Sequence, residues 1–395
     1  MRVATISGFA PYWGVDLNPN ILDATEGKTI GGGEEAALRA ASELSALGHE
    51  VTLWWCGLPG KWRGVEFRST YCDLHSHLRS IDYDAVVSFS DLRALEWAPK
   101  SAHGRRFFAQ QLNDLWNIGD WSAVDCIISP SDNHGRQLNY WGWRKKPYAV
   151  VHNGCDVEVY RSPFGWMPRD ETPRGWHEGP SEGIGAFPPW DSRPLNVGYW
   201  SSPDRGLHHL LRAWPEVVKA EPRARLHVFY EIDKYLQLVA NAVGEYGSRA
   251  SELFPLLTLA KQDKTITFHG QVPRLKLAET QLQCRVMCYP LDPSAYVEGF
   301  GGSVNQALAA GCLTMLTPID AFPELYDGVT YWLDKNTLKL KDTLARDLIS
   351  ALHGELPKQR ELLNALTTWT PYSWTAAGKQ LDAVIRGENW KESGP

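Results

Sequence analysis

The sequence predicts an α/β protein made of two doubly wound domains that face each other across a cleft. Three observations lead there. Apolar runs of strand length alternate with helical patterns along most of the chain, which is the signature of mostly parallel sheets. The length of 395 residues suits two domains better than one. Residues 161–194 break the alternation, being dense in Pro, Gly and Trp without a strand or helical period, so they read as a linker or long loop.

The elements follow in order. Residues 2–7 form a first strand, and Gly31-Gly-Gly33 opens a helix from Glu34 to Leu47 that Gly48 ends as a C-cap. Ala37, Leu38, Ala41, Leu44 and Leu47 give that helix its apolar stripe. Strand Val51–Trp55 comes next, then short apolar runs at Ala85–Phe89, Arg106–Ala109, Cys126–Ile128 and Tyr148–Val151. Past the linker, strand Leu195–Tyr199, the loop Ser201–Gly206 and a helix from Leu207 to Ala220 begin a second unit. Strand Arg225–Tyr230, a long helical region over 233–260 and strand Ile266–His269 continue it. Helix 274–284, strand Val286–Tyr289, a Gly-rich turn, helix 303–310 and strand Leu313–Thr317 complete the pattern before a mostly helical remainder. The expected division is an N-terminal domain over 1–160, the linker 161–194, a C-terminal domain over 195–370, and a terminal helix within 371–395 returning to the first domain.

Composition narrows the class. With 43% hydrophobic and 22% charged residues the chain reads as soluble and globular. No run of 18 apolar residues is present, so no integral membrane segment is expected, and the first residues read as a strand rather than a signal peptide. Seven scattered cysteines without a C-x-x-C pair fit reduced thiols and a cytoplasmic location. A net charge of −6 argues against a broad nucleic-acid-binding surface, while a local basic patch fits within that average. The 18 Trp read mainly as core, with some faces available to stack on sugars or bases.

Three Gly-rich or basic turns carry the functional signal. In Glu298-Gly-Phe-Gly-Gly-Ser-Val-Asn-Gln-Ala-Leu-Ala-Ala-Gly311 an acidic residue leads into a turn and a helix follows at once. Backbone N–H groups and a helix N-terminus there favour an anionic or polyhydroxylated ligand, and the glycines allow its close approach. Gly31-Gly-Gly33 feeds a helix in the first half, but it is neither G-x-G-x-x-G directly after a strand nor a Walker A motif. Arg205-Gly206 places a cation at a helix start, where it is unfavourable unless it faces an anion such as a diphosphate. No Asp-x-Asp pair in a plausible loop context and no His/Cys cluster with metal spacing appears, so neither metal nor cofactor is expected.

In this order the motifs resemble GT-B glycosyltransferases of the large retaining class that contains sucrose, glycogen and lipopolysaccharide synthases. Gly31–Glu34 is similar to that class's N-terminal loop, Asn153-Gly-Cys-Asp156 to its Asn-Gly-x-Asp segment, Ser201–Arg205 to its diphosphate loop, His269–Val272 to the turn beside the base, and Glu298–Gly311 to its Glu-x7-Glu segment. The resemblance implies two Rossmann-like domains and transfer of a sugar from a nucleotide-diphosphate sugar. Glu298 would bind sugar hydroxyls, and the backbone of Gly299, Phe300 and Gly301 would surround sugar and phosphates. Arg205 would neutralise the leaving diphosphate in place of the usual Lys. Gly31, Gly32, Gly33, Ser201, Ser202, Gly270 and Gln271 would complete the donor side. Three departures stand out. Gln306 replaces the second Glu, which grips the ribose. Gly198-Tyr-Trp200 lacks the usual Arg before the diphosphate loop. The first domain's His-Asp has Gln111-Leu-Asn-Asp114 as its nearest counterpart.

The first domain would bind the acceptor, with Asp16, Asn113 and Asp114 as acceptor-side candidates. A carbohydrate or glycolipid acceptor is the default for such a fold. A glycolipid would call for a basic amphipathic helix, and Leu138–Lys146 is the candidate stretch. A hydroxymethylated base in DNA is a second option, with the same stretch, Arg105-Arg106 and Arg136 as phosphate or base contacts. A third reading, motivated by Gln306 and the missing Arg, is a degenerate protein that binds nucleotide sugars without turning them over.

Overall fold

A computed structural model of the chain describes residues 1–7, 32–70, 74–98, 104–111, 120–140, 146–161, 188–239, 245–291 and 298–391. In the first domain, β1 (Arg2–Ser7), α1 (Gly32–Ala46), β2 (Glu50–Trp55), β3 (Gly60–Trp62), β4 (Val65–Ser69), α2 (Leu74–Ser80), β5 (Ala85–Phe89), α3 (Arg93–Trp97), β6 (Arg105–Ala109), β7 (Cys126–Ser129), α4 (Asp132–Tyr140) and β8 (Tyr148–Val150) follow in sequence. Their sheet runs β3-β4-β2-β1-β5-β6-β7-β8. Every pairing in it is parallel except β3 with β4. β1 is central, pairing Val3 with Val51 on one side and Ala85 on the other. Covered on both faces, the strands read as apolar runs rather than alternations, and all five residues of β5 are buried.

The second unit begins after α5 (Glu158–Arg161). It comprises β9 (Asn196–Tyr199), α6 (Leu207–Ala220), β10 (Arg225–Val228), α7 (Ile232–Val239), α8 (Glu245–Ala260), β11 (Ile266–Phe268), α9 (Arg274–Gln281), β12 (Val286–Tyr289), α10 (Gly302–Ala309), β13 (Leu313–Leu316), α11 (Phe322–Tyr326), β14 (Thr330–Trp332), α12 (Thr337–His353) and α13 (Gln359–Thr368). Its parallel sheet is ordered β11-β10-β9-β12-β13-β14. Both sheets therefore wind outward in two directions from a central strand, β1 or β9. This doubly wound order creates a crevice at the carboxyl ends of the strands where the direction reverses.

The chain then returns. α14 (Trp374–Ile385) packs on α1, and Trp374, Ala377, Leu381, Val384 and Ile385 join the core of the first domain. His49 Nε2 lies 2.8 Å from Asp382 Oδ1 across that contact. Gly378 is needed there, because an added Cβ would fall 2.4 Å from the Glu43 Cβ. Of the segment 161–194, residues 162–187 lie outside the described residues. Residues 188–194 are held on the second domain, where the buried Arg193 donates to the Cys284 and Ala310 carbonyls, both at 2.9 Å, and Trp190 Nε1 to Arg285 O at 2.8 Å.

One departure from the sequence expectation has a physical cause. The β3–β4 hairpin turns at Arg63-Gly64, both at positive φ, 48° and 79°. Such a two-residue turn twists in the same sense as its strands, but a three-residue strand carries too little alternation to be read. The helical region over 233–260 holds α7 and α8, with residues 240–244 outside the described residues.

Candidate active site

The two loops that leave β9 and β12 meet at the switch point of the second sheet. Tyr199 and Tyr289 end those adjacent strands, ring edge to face at 6.0 Å. Tyr199 donates its hydroxyl to Ser202 O at 2.6 Å and so fixes the first loop. Tyr289 donates to Glu298 Oε2 at 2.8 Å, and its hydroxyl lies 2.7 Å from Ser201 Oγ. With the Tyr289 proton committed to the carboxylate, Ser201 is the donor in that second bond. Burial and the neighbouring Glu298 raise the Tyr289 pKa well above its ordinary value, so it remains a hydroxyl.

Gly206 brings the loops together. Its φ is +93°, and a Cβ there would fall 2.0 Å from Pro290 O, so only glycine lets the first loop lie against the exit of β12. Arg205 then stands opposite Glu298, Nη1 to Oε2 at 3.7 Å, with its Nε 3.5 Å from Asp204 Oδ2. Both separations exceed the roughly 2.7–2.9 Å of a charge-assisted hydrogen bond, so these pairs are Coulombic rather than bidentate. Ser202 Oγ bonds to the Asp204 carboxylate.

Glu298 organises its own turn. Oε1 accepts from Gly301 N at 2.9 Å, the Glu298 N–H donates to Asp320 Oδ2 at 3.0 Å, and its carbonyl accepts from Ala321 N at 3.3 Å. Tyr326 shares its hydroxyl between Phe300 O at 2.9 Å and Gly301 O at 3.1 Å. The Phe300 ring is buried against Tyr372 and Tyr326, so this residue offers its backbone alone to the cleft. A helix leaves its first N–H groups without intrahelical partners. Among the described residues, in α10 these belong to Gly302 and Ser303, because Val304 and Asn305 already bond to Gly301 O. A side chain at Gly302 would meet nothing within 4 Å, so this helix end opens into the cleft beside Arg205 and Glu298. Trp200, which the open face of Gly198 accommodates, donates Nε1 to Ser303 O at 2.8 Å and packs where the sequence lacks its Arg.

The remaining donor-side candidates spread along the crevice. Gly270 and Gln271 follow β11, with Gly270 at φ +68°. Gly32 and Gly33 open α1, whereas Gly31 lies outside the described residues. A charge cluster ties these two places together. Arg274, first in α9, pairs with Glu35 of α1 and lies 3.3 Å from Asp156 Oδ2. Arg39, buried in α1, holds the same Asp156 oxygen at 2.7 Å. Gln306 projects from α10 to Gln281, whose Nε2 lies 3.5 Å from Gln306 Oε1, and Gln281 accepts from the buried Tyr160 hydroxyl at 2.7 Å. Asp16, Asn113 and Asp114 lie outside the described residues.

Of the basic contacts envisaged for DNA, Arg105 and Arg106 are engaged within the fold, whereas Arg136 is exposed. Arg106 is 5% exposed, with Nη2 on Ser122 O at 3.4 Å and Nε 3.8 Å from Asp125. Arg105 lies over the Trp390 ring at 5.6 Å and donates to Ile385 O at 3.4 Å. Arg136 pairs with Asp132. Two of these arginines thus serve the packing of the C-terminal segment and the sheet. Residues 141–145 of the Leu138–Lys146 stretch lie outside the described residues.

Several site residues carried no readable signal. Ser131, the N-cap of α4, donates to Gly299 O across the cleft at 2.7 Å, and Glu324 of α11 accepts from the N–H groups of Asp132 and Asn133 at 2.8 and 2.6 Å. His134 is 1% exposed against Gly299. Burial pushes the His134 pKa down to about 4, and burial together with His269 does the same for His227. Between pH 6.5 and about 4 the unfolded chain therefore binds more protons than the folded one. The stability these imidazoles provide is complete above pH 6.5 and drains away as pH falls toward about 4. A fall in Tm across that window is expected, shallower in His134→Ala; an equal slope in both proteins would show that His134 does not contribute.

The profile of the family described as glycosyl transferases group 1 matches residues 193–353. No curated protein matches the sequence. Among solved structures, sucrose-phosphate synthase from Thermosynechococcus elongatus is 13% identical at TM-score 0.60, covering 98% of each chain. HepE from Anabaena in complex with UDP and glucose is 12% identical at TM-score 0.62, covering 98% of this chain and all of the other. AviGT4, a glycosyltransferase involved in avilamycin A biosynthesis, is 14% identical at TM-score 0.59 with 99% of each chain covered. Identities this low establish a shared fold over nearly the whole length, with two sheets across a cleft.

Proposed function

We propose, from the premise that the chain is a glycosyltransferase of GT-B fold whose residues 193–353 belong to the group 1 family, that it moves a sugar from a nucleotide-diphosphate sugar to a hydroxyl of a carbohydrate or glycolipid, with retention and without a metal ion. The observation that carries this reading is the meeting of Arg205 and Glu298, 3.7 Å apart, beside the open N-terminus of α10 at the switch point. Negative charge grows on the diphosphate as the anomeric C–O bond breaks. The Arg205 guanidinium and the N–H groups of Gly302 and Ser303 would stabilise it, the task a metal performs elsewhere. Glu298 would accept from sugar hydroxyls while Tyr289 and Gly301 hold its carboxylate in place.

The acceptor hydroxyl then bonds to the anomeric carbon from the face the diphosphate leaves. Its proton passes to the departing phosphate oxygen, so no dedicated base is required. The carbohydrate acceptor is favoured over DNA because Arg105 and Arg106 are engaged in packing. HepE, which shares this fold, is crystallised in complex with UDP and glucose, which makes a uridine nucleotide the first donor to try. The test is a thermal-shift and hydrolysis screen against UDP-, GDP-, ADP- and CMP-sugars with and without EDTA. The expected result is stabilisation by one nucleotide and slow release of its sugar despite EDTA. A shift without turnover of any donor would support the degenerate reading, with Gln306 as its leading cause; no shift and no turnover would contradict both readings.

A further inference from the structure

We propose that Ser131 and His134, in the first domain, are positioning residues for Glu298: they clamp the sugar-side turn from across the cleft, so that the donor site is complete only when the two domains are docked. This rests on the reading of Glu298 as a donor-sugar ligand.

The turn from Glu298 to Gly301 is held from two sides. From its own domain come Ala321 N on Glu298 O and Tyr326 on the carbonyls of Phe300 and Gly301. Gly299 O takes its bond from the other domain, from Ser131 Oγ at 2.7 Å. That hydroxyl also accepts from His134 N at 3.1 Å, so one oxygen caps α4 and reaches across the cleft. Ser131 is fully buried, and Ser129 Oγ donates to its carbonyl at 2.9 Å, which fixes the cap from behind. His134 then closes on the turn itself. A Cβ on Gly299 would lie 2.7 Å from His134 Nδ1 and 3.2 Å from Cε1 and Cγ, so the ring allows only glycine beside Glu298.

The opposite domain answers with α11. Glu324 accepts from the first two N–H groups of α4, while Tyr326, two residues on, holds the Phe300 and Gly301 carbonyls. One short helix thus links the docking of α4 to the shape of the sugar turn. Separation of the domains would remove the Gly299 bond and the His134 wall and break the Glu324 bonds to α4 together. The turn that carries Glu298 would keep only the bonds from its own domain.

Size compensation tests the clamp. Gly299→Ala should lower kcat for donor turnover by about tenfold or more, as a displaced ligand does, while Kd for free UDP, or for the nucleotide the screen selects, stays within about twofold. His134→Ala should restore most of that loss in the double variant, because it removes the wall that the new methyl meets. Ser131→Ala, which deletes a single oxygen, should lower kcat by about threefold with free-nucleotide binding unchanged, and guards against a folding failure in the Gly299 variants. Wild-type kcat in Gly299→Ala, a double variant no faster than the single one, or an equal loss in kcat and nucleotide affinity would each overturn the clamp. If the wild-type protein turns over no nucleotide sugar, the functional reading fails on its own. The clamp is then judged by the distance between spin labels on the two domains, which should lengthen in Gly299→Ala and return in the double variant; no change in that distance would overturn it.

Discussion

Replacing Arg205 with Ala should lower kcat/KM for donor turnover by about 10- to 100-fold, because a hydrogen bond to a charged group contributes about 1.5–3 kcal/mol and this one strengthens as the diphosphate leaves. The loss should divide between kcat and KM. Ground-state binding of the diphosphate suffers through the missing charge, and the rate suffers through charge that develops only in the transition state. Asp204 and Glu298, 3.5 and 3.7 Å from the guanidinium, would also lose their counter-ion and repel the incoming donor. KM of the Ala variant should therefore improve with added salt. Arg205→Lys should recover part of the activity, since it restores charge without the planar fork. Steady-state kinetics on the donor selected by the screen measures all three. Unchanged kinetics in Arg205→Ala would remove this residue from the site.

Glu298→Gln should be more selective and at least as costly, reducing kcat by about a hundredfold, the scale found when one pre-organised transition-state contact is lost. The fold around the site should survive. The amide oxygen can still accept from Gly301 N, and the Tyr289 hydroxyl can reverse, accepting from the new amide and donating to Ser201 Oγ, which lies within 2.7 Å. On the proposed reading, what is lost is a charged acceptor for hydroxyls of a sugar that becomes positive in the transition state. Free-nucleotide binding should stay within about threefold, because on the proposed reading this carboxylate serves the sugar and not the nucleotide. Titration calorimetry with the free nucleotide, set against kcat, separates the two. An equal loss in both would mean that Glu298 serves the phosphates rather than the sugar.

Much of this architecture was legible because local rules and tertiary demands agree. Strands such as Ala85–Phe89 and Val286–Tyr289 are covered on both faces and read as unbroken apolar runs. Gly206 and Gly301 marked turns, and both sit at positive φ, where a side chain would also collide with a neighbouring element. Arg205 drew attention as a cation at the wrong end of a helix, and the structure sets it against Glu298. What escaped the sequence was long-range. Ser131 and Gly299 are 168 residues apart and Asn133 and Glu324 are 191, and no local period encodes such pairs. Tyr289 read only as the end of a strand and Tyr326 carried no signal; both rings are buried, while their hydroxyls shape the turn. Arg105 and Arg106 misled in the opposite sense. Side by side they suggest a basic patch, yet β6 buries Arg106 beside Asp125 and sets Arg105 against Trp390. Two domains closing on a shared helix end is a property of the folded molecule, and it gave the site more supports than its motifs name.

Transfer from a nucleotide sugar by charge stabilisation on the leaving diphosphate is tested most directly by the anomeric configuration of the first product. Proton NMR would follow the anomeric signal of sugar released from the selected donor, UDP-glucose in the first instance, with excess EDTA and within the time before mutarotation. An α-linked donor should release the α-anomer first, at a rate EDTA does not change. Initial release of the β-anomer, or arrest of turnover by EDTA, would contradict it.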